Sequence, residues 1–345
     1  MTKQAATTAE NIMTIRFLHT ADWQIGKGFG QIPGDAGALL REQRLDTVRR
    51  IAEKAAEESV DAVLVAGDVF DTQTVSDKTI RRLCHALAAF DGPWVLLPGN
   101  HDAALAESVW TRVRDLGCLP DNAILATDPE PILLADDRLA VLPAPLQRRH
   151  EAEDLTAGFD AIETPEGAVC VGLAHGSVTN RLPESATQQN PIADDRAQRA
   201  SLDYLALGDW HGTLEIAPRT WYSGTPETDA FRSQNPGNCL KIPLHGPGTE
   251  PVVETIPTTA YHWHELDEIV GSEAAVESLV GRLEALGQPA DAQVVRLKLS
   301  GTLSLAARER LDGILEEWAA RFRFLEADTT GLTAEASEAD LAALE

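Results

Sequence analysis

Residues 93–102 read Pro-Trp-Val-Leu-Leu-Pro-Gly-Asn-His-Asp (PWVLLPGNHD), an apolar run that stops at a glycine and then delivers an amide, an imidazole and a carboxylate. A short run of this composition, bounded by proline and glycine, predicts a buried strand. The same grammar recurs along the chain. TIRFLH (14–19) leads to Asp22-Trp23-Gln24, VDAVLVA (60–66) to Gly67-Asp68, AVCVGLA (168–174) to His175, and YLAL (204–207) to Gly208-Asp209-Trp210-His211. Between these runs, Leu45, Val48, Ile51 and Ala55 recur at helical spacing after a Gly/Pro-rich loop to Gly37, and a second helix is predicted over about 77–89. A further strand is predicted at 138–142. Strands alternating with helices predict a layered α/β domain. In such sheets, ligands bind outside the carboxyl ends of the strands.

A lone Asp or His at a strand end is usually a turn former or a satisfied polar group. Five strand ends that each supply a metal-ligating residue type point instead to one site. Glycine ahead of the polar residue lets the chain turn sharply and approach closely. Oxygen-rich donors with two or three imidazoles suit Mn²⁺, Fe²⁺, Mg²⁺ or Zn²⁺. Two such ions about 3.5–4 Å apart can clamp the attacking and leaving oxygens of a phosphoester.

The series D-x-H, GD, GNHD, H and G-H-x-H resembles that of the calcineurin-like metallophosphoesterases, over residues 14 to about 226. The local wording LHTADWQIGK, GDVFD, LPGNHD, LAHGSV, LALGDWHG and YSGTPE is similar to the SbcD-type DNA repair nuclease branch. The resemblance implies a four-layer α/β sandwich with a small C-terminal α+β capping domain. It implies that Asp68 bridges two metal ions, that Asp22 and His211 hold the first, and that Asn100 and His175 hold the second. His101 is not a ligand in that pattern but lies over the substrate and protonates the leaving oxygen. An imidazole suits that task because its ordinary pKa is near neutral. The implied substrate is DNA, cleaved as exonuclease, endonuclease or both, with an SbcC-type ATPase as partner and a homodimer formed through helices of the nuclease domain.

The chain departs from the pattern twice. Gln24 stands where a histidine is expected in D-x-H, and Asp209 where one is expected in G-H-x-H. If both remain ligands, three carboxylates (Asp22, Asp68 and Asp209) face the ions instead of two. That oxygen-rich set favours Mn²⁺, then Mg²⁺, over Zn²⁺. The substitutions also leave open a weakened fold kept as a scaffold.

The expected organisation is an extension over 1–13, a metallophosphoesterase domain over 14–257, an α+β capping domain over 258–330 and an acidic tail over 331–345. The capping segment reads β-α-β-α-β, with strands near 261–266, 292–300 and 321–327 and helices near 274–286 and 305–320. The net charge of −25 argues against a nucleic-acid partner, since phosphate backbones are normally met by a basic face. It reads either as a solubilising surface or as acid offset locally by metals and a few arginines. A small-molecule or nucleotide phosphodiesterase therefore stays open beside the nuclease. Arg148, Arg149, Arg196 and Arg199 are the candidate phosphate contacts, against the reading of solvated loops.

The opening 1–11 lacks the apolar stretch of a secretion signal. No apolar run approaches the roughly 20 residues that span a bilayer. Cys84, Cys118, Cys170 and Cys239 form no CxxC pair and read as small core or surface residues in a reducing, cytoplasmic setting. Asp102 is read as fixing its turn, His19 as packed or hydrogen-bonded, Trp23 and Trp210 as core, and His262 and His264 as a polar strand face. Gly224-Thr225-Pro226 is read as shaping a loop beside the site.

Overall fold

The computed structural model describes residues 14–182 and 189–335; the extension expected over 1–13 lies outside them. The chain divides into two compact units. The first comprises the chain up to Lys27, Arg41–Pro226 and Gln234–Thr258. The second comprises Gly28–Leu40, Glu227–Ser233 and the chain from Thr259. The stretches 28–40 and 227–233 thus group with the C-terminal segment, although a linear reading puts them in the first domain.

The elements begin β1 (Ile15–Thr20), α1 (Gly34–Glu57), β2 (Ala62–Val65), α2 (Asp77–Leu87), β3 (Trp94–Leu96), α3 (Val109–Leu116) and β4 (Ala123–Leu125). They continue β5 (Ile132–Leu134), β6 (Leu139–Ala144), β7 (Val169–His175), β8 (Ser177–Val178), β9 (Pro191–Ile192) and α4 (Arg196–Arg199). The first unit closes with β10 (Tyr204–Gly208), β11 (Leu214–Ala217), β12 (Thr220–Tyr222), β13 (Asn238–Leu244) and β14 (Glu254–Pro257). One six-stranded sheet runs β14-β13-β1-β2-β3-β4 and the other β11-β12-β10-β7-β6-β5.

Strand alternation builds the layers. Ile15, Phe17, Ala62, Leu64 and Val95 of the first sheet meet Val141, Val171, Leu173, Tyr204 and Ala206 of the second in one buried core. The opposite face of the first sheet, with Leu18, Val63, Val65 and Trp94, is covered by α1, α2 and α3. The outer face of the second, with Leu142, Leu205 and Leu207, is covered by Phe159, Leu182 and Ala197. The result is the four-layer sandwich expected from the sequence. α1 starts earlier than the helical spacing predicts, because Pro33 and Asp35 make a helix start out of a glycine-rich stretch. The sequence reading does not contain α3, although Ser108 and Thr111 form a capping box and Gly117 closes the helix with φ 54°.

The second unit carries β15 (His262–Ile269), α5 (Glu273–Ala285), β16 (Gln293–Ser304), α6 (Leu305–Arg321) and β17 (Phe324–Glu335), with a parallel sheet β15-β16-β17. Val276, Leu279 and Leu283 of α5 and Leu311, Leu315 and Trp318 of α6 pack on Val295, Leu297 and Leu299 of β16. A second cluster gathers Phe29, Ile32, Leu40, Tyr261 and Val294, with Phe231 and Trp263 against it. Residues 331–335, expected in the acidic tail, are strand instead. They extend β17 against Ser300–Ser304 of β16, and the Thr302 and Thr333 hydroxyls hydrogen-bond at 2.7 Å. Residues 336–345 lie outside the described part.

Among the described residues no helix is long and apolar enough to cross a membrane. Cys84 and Cys118, 34 positions apart, meet with their sulfurs 2.9 Å apart. Linear spacing could not show that pair.

Candidate metal centre

Parallel pairing of β1 with β2 and β2 with β3 aligns three carboxyl ends in one sheet. Parallel pairing of β7 with β10 does the same in the other. Just past those ends lie Asp22, Asp68, Asn100 and His101 on one side and His175, Asp209 and His211 on the other. The turns are tight. Asp22, Gln24, Asp68 and Asp209 all have positive φ (54°, 42°, 53° and 103°), a region L-residues seldom occupy. Gly99 is required by contact, because a Cβ there would sit 2.2 Å from Asp68 Oδ1. Gly67, at φ 90°, would set one 2.3 Å from His175 Nδ1.

Asp22, Asp68 and His175 are buried, and each offers one ligand atom within 4.8 Å of the others. His175 Nδ1 donates to the Ala66 carbonyl at 2.8 Å, which leaves Nε2 as an acceptor. Nε2 lies 3.5 Å from Asp68 Oδ1, 3.9 Å from Asp209 Oδ1 and 2.8 Å from Asn100 Oδ1. Acceptors therefore face acceptors, and only a proton, a turned-over Asn100 amide or a cation relieves that. With the amide turned over, its nitrogen would reach His175 Nε2 at 2.8 Å and both Asp68 oxygens at 3.2 Å. A divalent cation fits the set of carboxylates, amide oxygen and imidazole as it stands.

The electrostatics report the same crowding of negative charge. Burial pushes the Asp22 carboxyl up to about 6, against the pull of His211 and His175. Burial also raises Asp209, opposed by His175 and by the Ser177 hydroxyl, which donates to Asp209 Oδ2 at 2.9 Å. Burial lowers His175, but Asp68, Asp22 and Asp209 outweigh it and hold the imidazole at about 9. The Asp209 N–H donates to both Asp22 oxygens at 3.2 Å, so the residue in place of a histidine supports one carboxylate while aiming its own at the cluster.

Gln24 is placed differently from the expected ligand. Its amide nitrogen lies 3.1 Å from His211 Nε2, and its oxygen accepts from Lys27 Nζ at 3.1 Å. Gln24 thus holds His211 by its side chain, and its oxygen is turned to a lysine. His101 donates its backbone N–H to Asp68 Oδ1 (2.9 Å) and its Nδ1–H to the Asp71 carbonyl (2.7 Å). Its Nε2 lies 3.9 Å from Asp68 Oδ2, on a side chain 32% exposed. Asp102 is fully buried and accepts from the N–H groups of Gly99 (2.7 Å) and Phe70 (3.0 Å), so it fixes the turn as read.

Of the arginines, Arg148 and Arg149 are exposed. Arg196 does not fit a phosphate contact, since its side chain is 2% exposed and held by Asp160 (2.9 Å) and Asp154 (3.3 Å). Arg199 faces Asp195 and Asp160 at 3.8 and 4.0 Å. His19 is buried between the Tyr204 hydroxyl (3.0 Å) and the Leu207 carbonyl (3.1 Å). Trp23 is core, His264 pairs with Gln293, and the Thr225 hydroxyl donates to the Asp22 carbonyl at 2.9 Å.

Sequence reasoning missed Arg44. Buried on α1, it donates Nε to the Trp23 carbonyl (2.6 Å) and Nη2 to the Asp22 carbonyl (3.0 Å) and the Thr225 hydroxyl (3.2 Å). It braces the Asp22 turn from behind, and nothing in its local sequence marks it.

Residues 15–170 match the calcineurin-like phosphoesterase family. The chain is 23% identical over 319 residues to the uncharacterized metallophosphoesterase YhaO of Bacillus subtilis, covering 88% of this chain and 73% of that one. It is 35% identical over 175 residues to the SbcD component of the SbcCD nuclease of Rhodobacter capsulatus, covering 46% of this chain and 41% of the relative. It is 24% identical over 296 residues to the DNA double-strand break repair protein Mre11 of Methanosarcina acetivorans, covering 83% and 46%. The chain thus spans less than half the length of the two nuclease relatives. With the strand-end cluster in place, residues 15–170 read as a calcineurin-like phosphoesterase domain, and the chain is similar, at a distance, to the SbcD and Mre11 nucleases.

Proposed function

We propose that the chain hydrolyses phosphodiester bonds with two divalent cations, Mn²⁺ before Mg²⁺, and that its substrate is DNA processed in repair. The observation that carries this reading is the convergence of buried Asp22, Asp68 and His175, with Asn100 and Asp209 aimed at the same point. Bound cations would polarise the phosphate and lower the pKa of the attacking water. The remaining work falls to the chain. Asp68 is oriented by the His101 N–H, His175 by the Ala66 carbonyl, and Asp22 by the Asp209 N–H. His101 is anchored through Nδ1–H, which leaves Nε2 to carry a proton to the leaving oxygen. An SbcC-type ATPase partner belongs to the same reading, supported by the similarity to the D subunit of SbcCD, and a homodimer and a cytoplasmic setting complete it.

A small phosphodiester substrate is the second reading, favoured by the net charge of −25. Linear duplex, single-stranded and closed circular DNA, each with Mn²⁺ or Mg²⁺, tested beside bis-p-nitrophenyl phosphate, separate the two. Mn²⁺-dependent DNA cleavage abolished by Asp68→Asn is expected. Turnover of the small ester alone selects the second reading. Neither turnover nor bound metal would leave a scaffold.

A further inference from the structure

Cys84 lies on α2 within the core that covers the first sheet, and Cys118 follows α3 and packs against that core. Their sulfurs stand 2.9 Å apart. That is already inside ordinary non-bonded sulfur contact, and less than an ångström of approach would reach the bonded distance of about 2.05 Å. All four cysteines are free thiols, and neither Cys170 nor Cys239 has a sulfur partner among the described residues. The segment between the pair runs through β3, the turn bearing Asn100, His101 and Asp102, and α3.

We propose that Cys84 and Cys118 form a reversible disulfide that closes a covalent ring around the segment carrying Asn100, His101 and Asp102. The oxidant is a small hydroperoxide. Cys118, half-buried where Cys84 is 4% exposed, attacks first as thiolate. Its sulfur bonds to the terminal peroxide oxygen, the O–O bond breaks, and the leaving oxygen departs as water or alcohol, leaving a sulfenic acid. The Cys84 sulfur then attacks the Cys118 sulfur. The S–S bond forms, the S–O bond breaks, and the hydroxyl leaves as water with the Cys84 proton. Two thiols and one peroxide yield one disulfide, and an external dithiol reverses it by exchange. Cys84 takes the resolving role because it is the more buried of the two; burial, followed by the contact with Cys118, pushes its thiol up, so it gives up its proton only as it attacks.

The test needs no enzymatic activity. Reduced full-length protein is titrated with hydrogen peroxide, unfolded, alkylated and digested without reductant. The expected product is one cross-linked peptide pair joining residues 84 and 118, lighter by two hydrogen atoms and released by dithiothreitol. Cys118→Ala should leave Cys84 fully alkylated at the same peroxide concentration. Alkylation of both thiols in the wild type, or Cys118 recovered as sulfinic acid with no cross-link, overturns the bond. Limited proteolysis should cut 85–117 more slowly in the oxidised protein. Equal rates would overturn the ring's effect on the turn.

Discussion

On the proposed reading, His101 and Asp68 divide the work at the site. Asp68 is buried and central, so Asp68→Asn removes a negative charge from the cluster and should abolish both cation binding and turnover. His101 only touches Asp68 and stands a third exposed, so His101→Gln should keep the cations while kcat falls by about 10²–10⁴-fold. Calorimetric titration with Mn²⁺ beside a rate measurement separates the two, and loss of binding in His101→Gln would make that residue a ligand. Sequence alone marked Asp22, Asp68, Asn100, His175 and Asp209 as candidates for one cluster, because strand-end glycines and carboxylates leave a local imprint. It did not disclose that Gln24 turns its oxygen to Lys27, or that Arg196 is sealed by two aspartates. Those outcomes depend on neighbours distant in the chain.

At the scale of the element, α1 does more than cover a sheet. Its Arg44 ties the backbone of Asp22 and Trp23 to Thr225. Arg44→Met keeps much of the side-chain length and removes the brace, so Mn²⁺ affinity should drop by about 10–100-fold, the usual effect of removing a group that orients a ligand. Arg44→Lys should restore part of it, and unchanged affinity in the methionine variant would make the arginine a packing residue only. The long elements were legible: β1, β2, β7 and β10 as apolar runs, the body of α1 by spacing, and α2 and α6 as helical stretches. Three-residue strands such as β4 and β5 carry too few side chains to show a period. Beyond residue 330, β17 owes its extension to a partner strand, which propensity does not see.

For the molecule as a whole, acid tolerance follows from one histidine among others. Burial lowers His19 to about 3, whereas an unfolded chain binds that proton near 6.5. The unfolded state thus holds the extra proton between those values, so this contribution is complete above pH 6.5 and is lost as pH falls towards 3. The unfolding free energy from urea titrations should decline over that window by up to about 1.4 kcal/mol per pH unit from this group, and His19→Asn should flatten the decline.

Charge at this scale also bears on β17, whose outer edge has no partner strand among the described residues. Along this twelve-residue strand, the N–H and C=O groups on the outer side form a template on which a second copy could zip. Glu326, Asp328 and Glu335 line that strand, so two copies brought edge to edge would press carboxylate on carboxylate. Thr330 holds Asp328 below its ordinary range, so this guard keeps its charge further into acid than a free aspartate would. Light scattering should stay flat near neutrality and climb as the medium turns acid. In Glu326→Gln/Glu335→Gln the climb should begin nearer neutrality, because the carboxylates strung along this one edge are what deny it to a second copy.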